Sequence, residues 1–238
     1  AVAPDETLLP RLAKLFQKLC EDGVITSVAR SVYEPEARVF GGAAAMDAVH
    51  DYFDADSRGW ILSNQAPAAG HRVAAEQMCT AVIDDLFHSV LGCASEVWDA
   101  WNNLCHLTRE AKVAAAKLTG AVPASADEAG CVTGEDPNVS AVLQHYAKAN
   151  QAFAGSIHEV RDRGLLEVGM RSLLATMAMF HCNRFGLDGA KQFAMAERAA
   201  KASHPHAGLM PTARPPRSAR FGSHRAPASR SVGSRLLD

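Results

Sequence analysis

The sequence predicts an α+β fold that is predominantly helical. Three observations carry this. Apolar residues recur at i, i+3 and i+4 through most of the 238-residue chain. One stretch, ITSVARSVY, alternates apolar and polar residues and is enriched in β-branched types, the pattern of a strand ending near Tyr33. No internal repeat or long heptad run suggests a solenoid or coiled coil.

The elements follow in order. Leu8, Leu9, Leu12, Leu15, Phe16 and Leu19 place an amphipathic helix over residues 6–22, ended by Asp22-Gly23. The strand comes next. Pro35 and Gly41-Gly42 bound an irregular loop. Helices are expected over 43–52 and 57–64, with a turn at Asp54–Arg58 between them. The segment APAAGH connects these to two long helices, 73–91 and 94–117. Residues 120–137 read as a loop. Asn138–Ala154 is helical, with Val139, Val142, Leu143, Tyr146 and Phe153 on one side. RDRGLLEVGM interrupts before helices at 170–184 and 188–203, and His204-Pro205 stops the last. Trp60, Trp98 and Trp101 are expected in the core.

Composition bounds the function. At 48% hydrophobic the chain can bury a sizeable core. No apolar run approaches the roughly 18–20 residues that span a bilayer, and the opening AVAPDETLLP lacks the basic and apolar regions of a signal peptide. Six cysteines, Cys20, Cys79, Cys93, Cys105, Cys131 and Cys182, show no zinc spacing. They read as reduced thiols in a cytoplasmic protein without structural metal. The formal charge of −2 hides an asymmetry. Residues 203–238 carry six arginines and one acid, which leaves 18 basic and 25 acidic residues in the body. The tail is rich in Ser, Pro and Gly and is expected to be disordered. The division is therefore a domain over 1–202 and a basic tail over 203–238. No nucleic-acid or membrane partner is expected.

Two segments carry a resemblance. YEPEARVFGGAAAMDAVHDYFDADSRG (33–59) and MAMFHCNRFGL (177–187), with the weaker SEVWDAW (95–101), are similar to motifs of the thiopeptide-type bacteriocin biosynthesis domain. That domain is also the glutamate-elimination domain of lantibiotic dehydratases. The form with FGG, MD, a following His and DSR most resembles the stand-alone pyridine synthases. The resemblance implies an elimination-domain-like fold. Its usual N-terminal strands, with a His-x-Arg-x-Arg segment, have no counterpart here and are expected to be missing. In the elimination branch an arginine precedes the aromatic-Gly-Gly and is expected to bind the glutamyl carboxylate. Here Val39 holds that position, with Arg38 one place earlier. On an extended segment that shift would turn Arg38 to the opposite face.

The implied reaction joins two dehydroalanines by a formal aza-[4+2] cycloaddition, with loss of water and of the leader peptide. It needs a near-attack pose and acid–base groups, and it needs no redox cofactor or metal. The resemblance marks His181, His50, Asp56 and Ser57 as catalytic candidates. It marks Glu36, Phe40, Gly41, Gly42, Arg58, Asn183 and Arg184 as substrate-binding candidates. Plainer readings stand beside these. His181 lies on an apolar helical stripe, as a core histidine would. Asp54 or Asp56 could cap a helix and pair with Arg58. Arg184 could serve a helix C-terminus. Glu34 and Glu36 could be solvated loop residues. The implied partner is a ribosomally made precursor peptide, leader plus dehydrated, azole-bearing core, with a homodimer or a modification-enzyme complex as further expectations. Two other functions compete: a glutamate-eliminating lyase and a non-catalytic peptide-binding scaffold.

Overall fold

The computed structural model describes residues 8–65, 74–119 and 137–206. The expected connection at 66–71, residues 120–136 of the loop expected over 120–137, and the tail beyond residue 206 lie outside the described residues, as does Cys131; Pro137 begins a helix. The described part is built from seven α-helices: α1 (Leu8–Glu21), α2 (Met46–Gln65), α3 (Ala75–Leu91), α4 (Ala94–Thr119), α5 (Pro137–Asp162), α6 (Met170–Arg184) and α7 (Gly189–Ala202). A single 3-10 turn, Ala43–Ala45, leads into α2.

The expected strand is not formed. Residues 27–36 have no regular secondary structure, and the described residues contain no sheet. Alternation marks a strand only when a second strand can take its backbone hydrogen bonds, and none lies alongside. Val28, Val32 and Tyr33 stay exposed. Helix α1 has the amphipathic pattern expected of it, yet none of its residues is buried.

The helical body packs as the periodicity requires. Helix α4 lies against α6 and α7, α3 against α5, and α2 against α5. One large apolar cluster includes Phe87, Trp101, Leu104, Leu173, Leu174 and Met177. A smaller one joins Met78 and Val82 of α3 to Val139, Val142 and Tyr146 of α5. Polar side chains tie helices to one another's backbones. The His158 Nε2 atom lies 2.7 Å from the Val90 carbonyl, and the Asn150 amide donates to the Val82 carbonyl at 3.2 Å. Gly92 closes α3 at φ 65°, a left-handed conformation that a Cβ disfavours. Asp188 caps α7 by accepting from the Lys191 N–H at 2.9 Å.

Two further expectations need correction. The region 43–64 is not two helices about a turn. Helix α2 runs through Asp54–Arg58 without interruption, so neither Asp54 nor Asp56 caps anything. Of the three tryptophans, Trp101 is fully buried and Trp98 packs half-buried on the core, but Trp60 is exposed.

A buried carboxylate–imidazole–guanidinium cluster

The continuity of α2 places the site. Tyr52, Asp56 and Gly59 recur at i, i+4 and i+7, so they share one helical face. That face turns inward, against α5 and α6. On α6 the same rule puts Met177, His181 and Arg184 on a common side. The two faces meet at Asp56, whose side chain is wholly buried.

Three donors converge on that carboxylate. The His181 Nδ1 atom lies 2.7 Å from Asp56 Oδ1. The Tyr146 hydroxyl, from α5, shares its one hydrogen between the same oxygen at 3.0 Å and the Asp56 carbonyl at 3.1 Å. The Arg184 guanidinium pairs with Asp56 Oδ2. An ionised carboxylate only accepts, so Nδ1 carries the hydrogen, and in a neutral imidazole Nε2 then holds the lone pair. That Nε2 is buried and has no hydrogen-bond partner among the described residues, and the same holds for the Tyr52 hydroxyl. Burial alone would push the Asp56 carboxyl up. The hydrogen bond and charge of His181, the Arg184 charge and the Tyr146 bond outweigh it and hold the carboxyl below its ordinary value. Burial, with Asp56 nearby, pushes the Tyr52 and Tyr146 phenols up, so both stay protonated donors.

The FGG segment supports this cluster from one side. Phe40 is buried and meets Phe53 and Phe180 edge-on at 5.4 and 5.2 Å between ring centroids. Phe53 and Phe180 stack at 5.8 Å, and the Arg184 guanidinium carbon sits 5.6 Å from the Phe53 centroid. Gly41 and Gly42 have φ of 92° and 94°. A Cβ on Gly41 would fall 2.7 Å from Leu166 Cδ1, and the Gly41 carbonyl accepts from Glu167 N–H at 2.9 Å. The two glycines thus let the loop press against residues 166–167. Their role here is close packing of the chain on itself.

The remaining candidates lie apart from the carboxylate. His50 is exposed and shares a hydrogen bond with the Tyr33 hydroxyl at 3.0 Å. Ser57 turns its hydroxyl back to the Phe53 carbonyl of its own helix at 2.7 Å. Arg58 pairs with Asp54 at 2.9 Å on the solvent side. Glu36 is exposed, and its carbonyl accepts from Val39 and Phe40. The Asn183 amide oxygen accepts from Gln192 of α7 at 2.7 Å. Residues 37–41 form a turn, so strand alternation does not govern Arg38 and Val39, and both are exposed.

Tyr146 lies outside the matched motifs, and Gly59, the last residue of the first motif, was not singled out as a site residue. A tyrosine on the apolar stripe of α5 was the available signal, because a buried phenol needs a partner. A glycine inside a helix, which costs roughly 0.5–1 kcal/mol, was the signal for Gly59. A Cβ there would fall 2.4 Å from Tyr146 Cζ.

These features define a helical domain with an internal acid–base pair, held by a phenol and a guanidinium and set against an aromatic-glycine loop. The chain belongs to the lantibiotic biosynthesis dehydratase C-terminal family, whose model matches residues 1–203. It is therefore a component of ribosomal-peptide modification. No curated protein and no solved structure matches it. Among the described residues, no helix is long and apolar enough to cross a membrane and no His/Cys/Asp/Glu cluster could hold a metal ion.

Proposed function

We propose that the chain is a pyridine-forming cyclase acting on a precursor peptide that carries two dehydroalanines. The carrying observation is the pairing of the cluster's cation. Arg184 is engaged by Asp56 Oδ2, and Val39 stands where a glutamate-eliminating relative is expected to hold its clamp arginine. A substrate without a glutamyl carboxylate needs no such clamp.

In this reading the two alkenes are held in a near-attack pose, and one of them tautomerises with the preceding carbonyl to a 2-azadiene. Two carbon–carbon bonds then form. Water leaves, and the leader peptide leaves as a carboxamide, giving the aromatic ring. His181 moves the proton from amide nitrogen to carbonyl oxygen through Nε2, while Asp56 fixes the imidazole and stabilises its protonated form. His181 is only 1% exposed, so the substrate must reach it past the half-buried Arg184 or Phe185. His50, Ser57, Glu36, Arg58 and Asn183 would serve the peptide at the periphery, and Phe40, Gly41 and Gly42 would shape the loop that frames it.

Two other readings have an observation each. The burial of both Asp56 and His181 favours a non-catalytic peptide-binding scaffold, in which the cluster is a structural clasp. The exposure of Arg38 beside the FGG turn favours the eliminating lyase. Mass spectrometry decides among the three. The chain is incubated with a bis-dehydroalanine, azole-bearing peptide and, separately, with a glutamylated peptide. Ring formation with release of the leader carboxamide supports the cyclase. Release of glutamate moves the chain to the lyase branch. Binding of the peptide with neither product assigns the scaffold.

A further inference from the structure

We infer that Tyr146 is a positioning residue: its hydroxyl, seated in the space left by Gly59, holds the Asp56 carboxylate in the rotamer in which one oxygen accepts from His181 Nδ1 and the other from Arg184. As far as catalysis is concerned this rests on the cyclase reading; the geometry does not.

Four observations support it. The Tyr146 hydroxyl and His181 Nδ1 share Asp56 Oδ1, while Arg184 takes Oδ2. The carboxylate therefore has a donor on each oxygen and a second on Oδ1, and twisting its plane away from this setting would weaken all three contacts. The hydroxyl also reaches the Asp56 main-chain carbonyl, which references the side chain to its own helix. The Tyr146 ring stands perpendicular to the imidazole, at 88° with centroids 5.4 Å apart, and so walls the ring it helps to orient. Finally, α2 makes room for it. A Cβ at position 59 would fall 2.4 Å from Cζ and 2.6 Å from the hydroxyl oxygen, closer than Cβ atoms come to other atoms.

The other groups around Asp56 do not substitute for it. Among the described residues, Tyr52 on α2 has no partner for its hydroxyl. Cys79 on α3 is a buried thiol, in contact with Cys182 of α6, that burial pushes far up. Asp85 on α3 accepts from Asn150 at 2.7 Å. Of the neutral side chains among the described residues, Tyr146 alone donates to the carboxylate beside His181.

The test uses the full chain with 15N-labelled histidine, the His181 resonances being assigned by their loss in His181→Gln. The unmodified protein should show a His181 Nδ1–H proton that exchanges slowly, as a buried bond to a carboxylate requires. Tyr146→Phe keeps the ring and its packing but loses the hydroxyl, so that bond should loosen and the proton exchange faster while the circular dichroism stays unchanged. Gly59→Ala should act the same way, because the added methyl displaces the phenol. With the bis-dehydroalanine peptide, kcat for Tyr146→Phe should fall about tenfold, the scale of one hydrogen bond to a charged group, with KM unchanged. A wild-type exchange rate for the His181 Nδ1–H in Tyr146→Phe overturns the inference, whether or not turnover falls. Absence of turnover in the unmodified chain sinks the cyclase reading instead, and the nitrogen spectra still decide the role of Tyr146.

Discussion

Replacing Asp56 by Asn should be among the most destabilising isosteric changes in the chain. The carboxylate is wholly buried and accepts from His181, Tyr146 and Arg184. Asn keeps the shape but removes the charge, and its amide NH2 faces donors that need an acceptor. Breaking a buried ion pair by removing one partner costs about 3–5 kcal/mol. The Arg184 side chain is 26% exposed, and water can recover part of that loss, so about 3 kcal/mol is expected at pH 7. For a domain of this size each kcal/mol lowers Tm by roughly 2–4 °C, giving a drop of about 6–12 °C. The sign of the pH dependence follows from the direction of the shift. The folded-state pKa of Asp56 lies below its unfolded value of about 3.9. Its stabilisation is therefore fully present above that value and is lost as pH falls through the folded pKa. Urea titrations of both proteins from pH 7 to pH 3 measure the gap in ΔG. It should be widest at pH 7 and should narrow toward the acid end. A gap under about 1 kcal/mol at pH 7, or one that widens on acidification, would refute the account of the cluster.

Three further outcomes are expected. His181→Ala should slow ring formation by about 10²–10⁴ with peptide binding nearly unchanged, read by mass spectrometry and fluorescence anisotropy; full cyclisation by this variant removes His181 from the mechanism. Gly41→Ala should cost about 1–3 kcal/mol, because φ of 92° is strained for any Cβ and the methyl meets Leu166; thermal denaturation reads this directly, and an unchanged Tm contradicts the loop geometry. Iodoacetamide at pH 7.5 should label Cys93 well before Cys79, since hydrogen bonds from Ser95 lower the exposed Cys93 thiol and burial raises the Cys79 thiol; peptide mapping over time gives the order.

Most helices were legible because each buries residues against its neighbours at the 3.6-residue period; α1 shows the period although none of its residues is buried. The limits of α6 can be read from the sequence to the residue. The strand was not legible as unpaired, because alternation describes one segment and pairing needs two. The break near residue 55 is equally instructive. Asp54, Asp56 and Ser57 look like cap chemistry in one dimension, but Asp56 faces three donors carried by α5 and α6, and such a polar residue can sit mid-helix only because those distant partners satisfy it. The meeting of Asp56 with His181 and Arg184 could be expected from two motifs of one family. The phenol between them could not, since Tyr146 lies outside both motifs and its hydroxyl finds its acceptor only through the packing of α5 on α2.

The aromatic stack of Phe40, Phe53 and Phe180 has a consequence for how this sequence can change. Phe40 belongs to the FGG loop, Phe53 to the helix of Asp56, and Phe180 to the helix of His181. Three segments distant in the chain thereby share one mechanical joint, on which the Arg184 guanidinium also rests. A smaller ring at any one position would move the loop and the ion pair together. Substitutions at the three sites should therefore be strongly epistatic, each tolerable only against particular partners. Drift at this joint has to proceed by compensated steps, so a lineage that altered the loop to admit a different peptide would carry matching changes on α2 and α6.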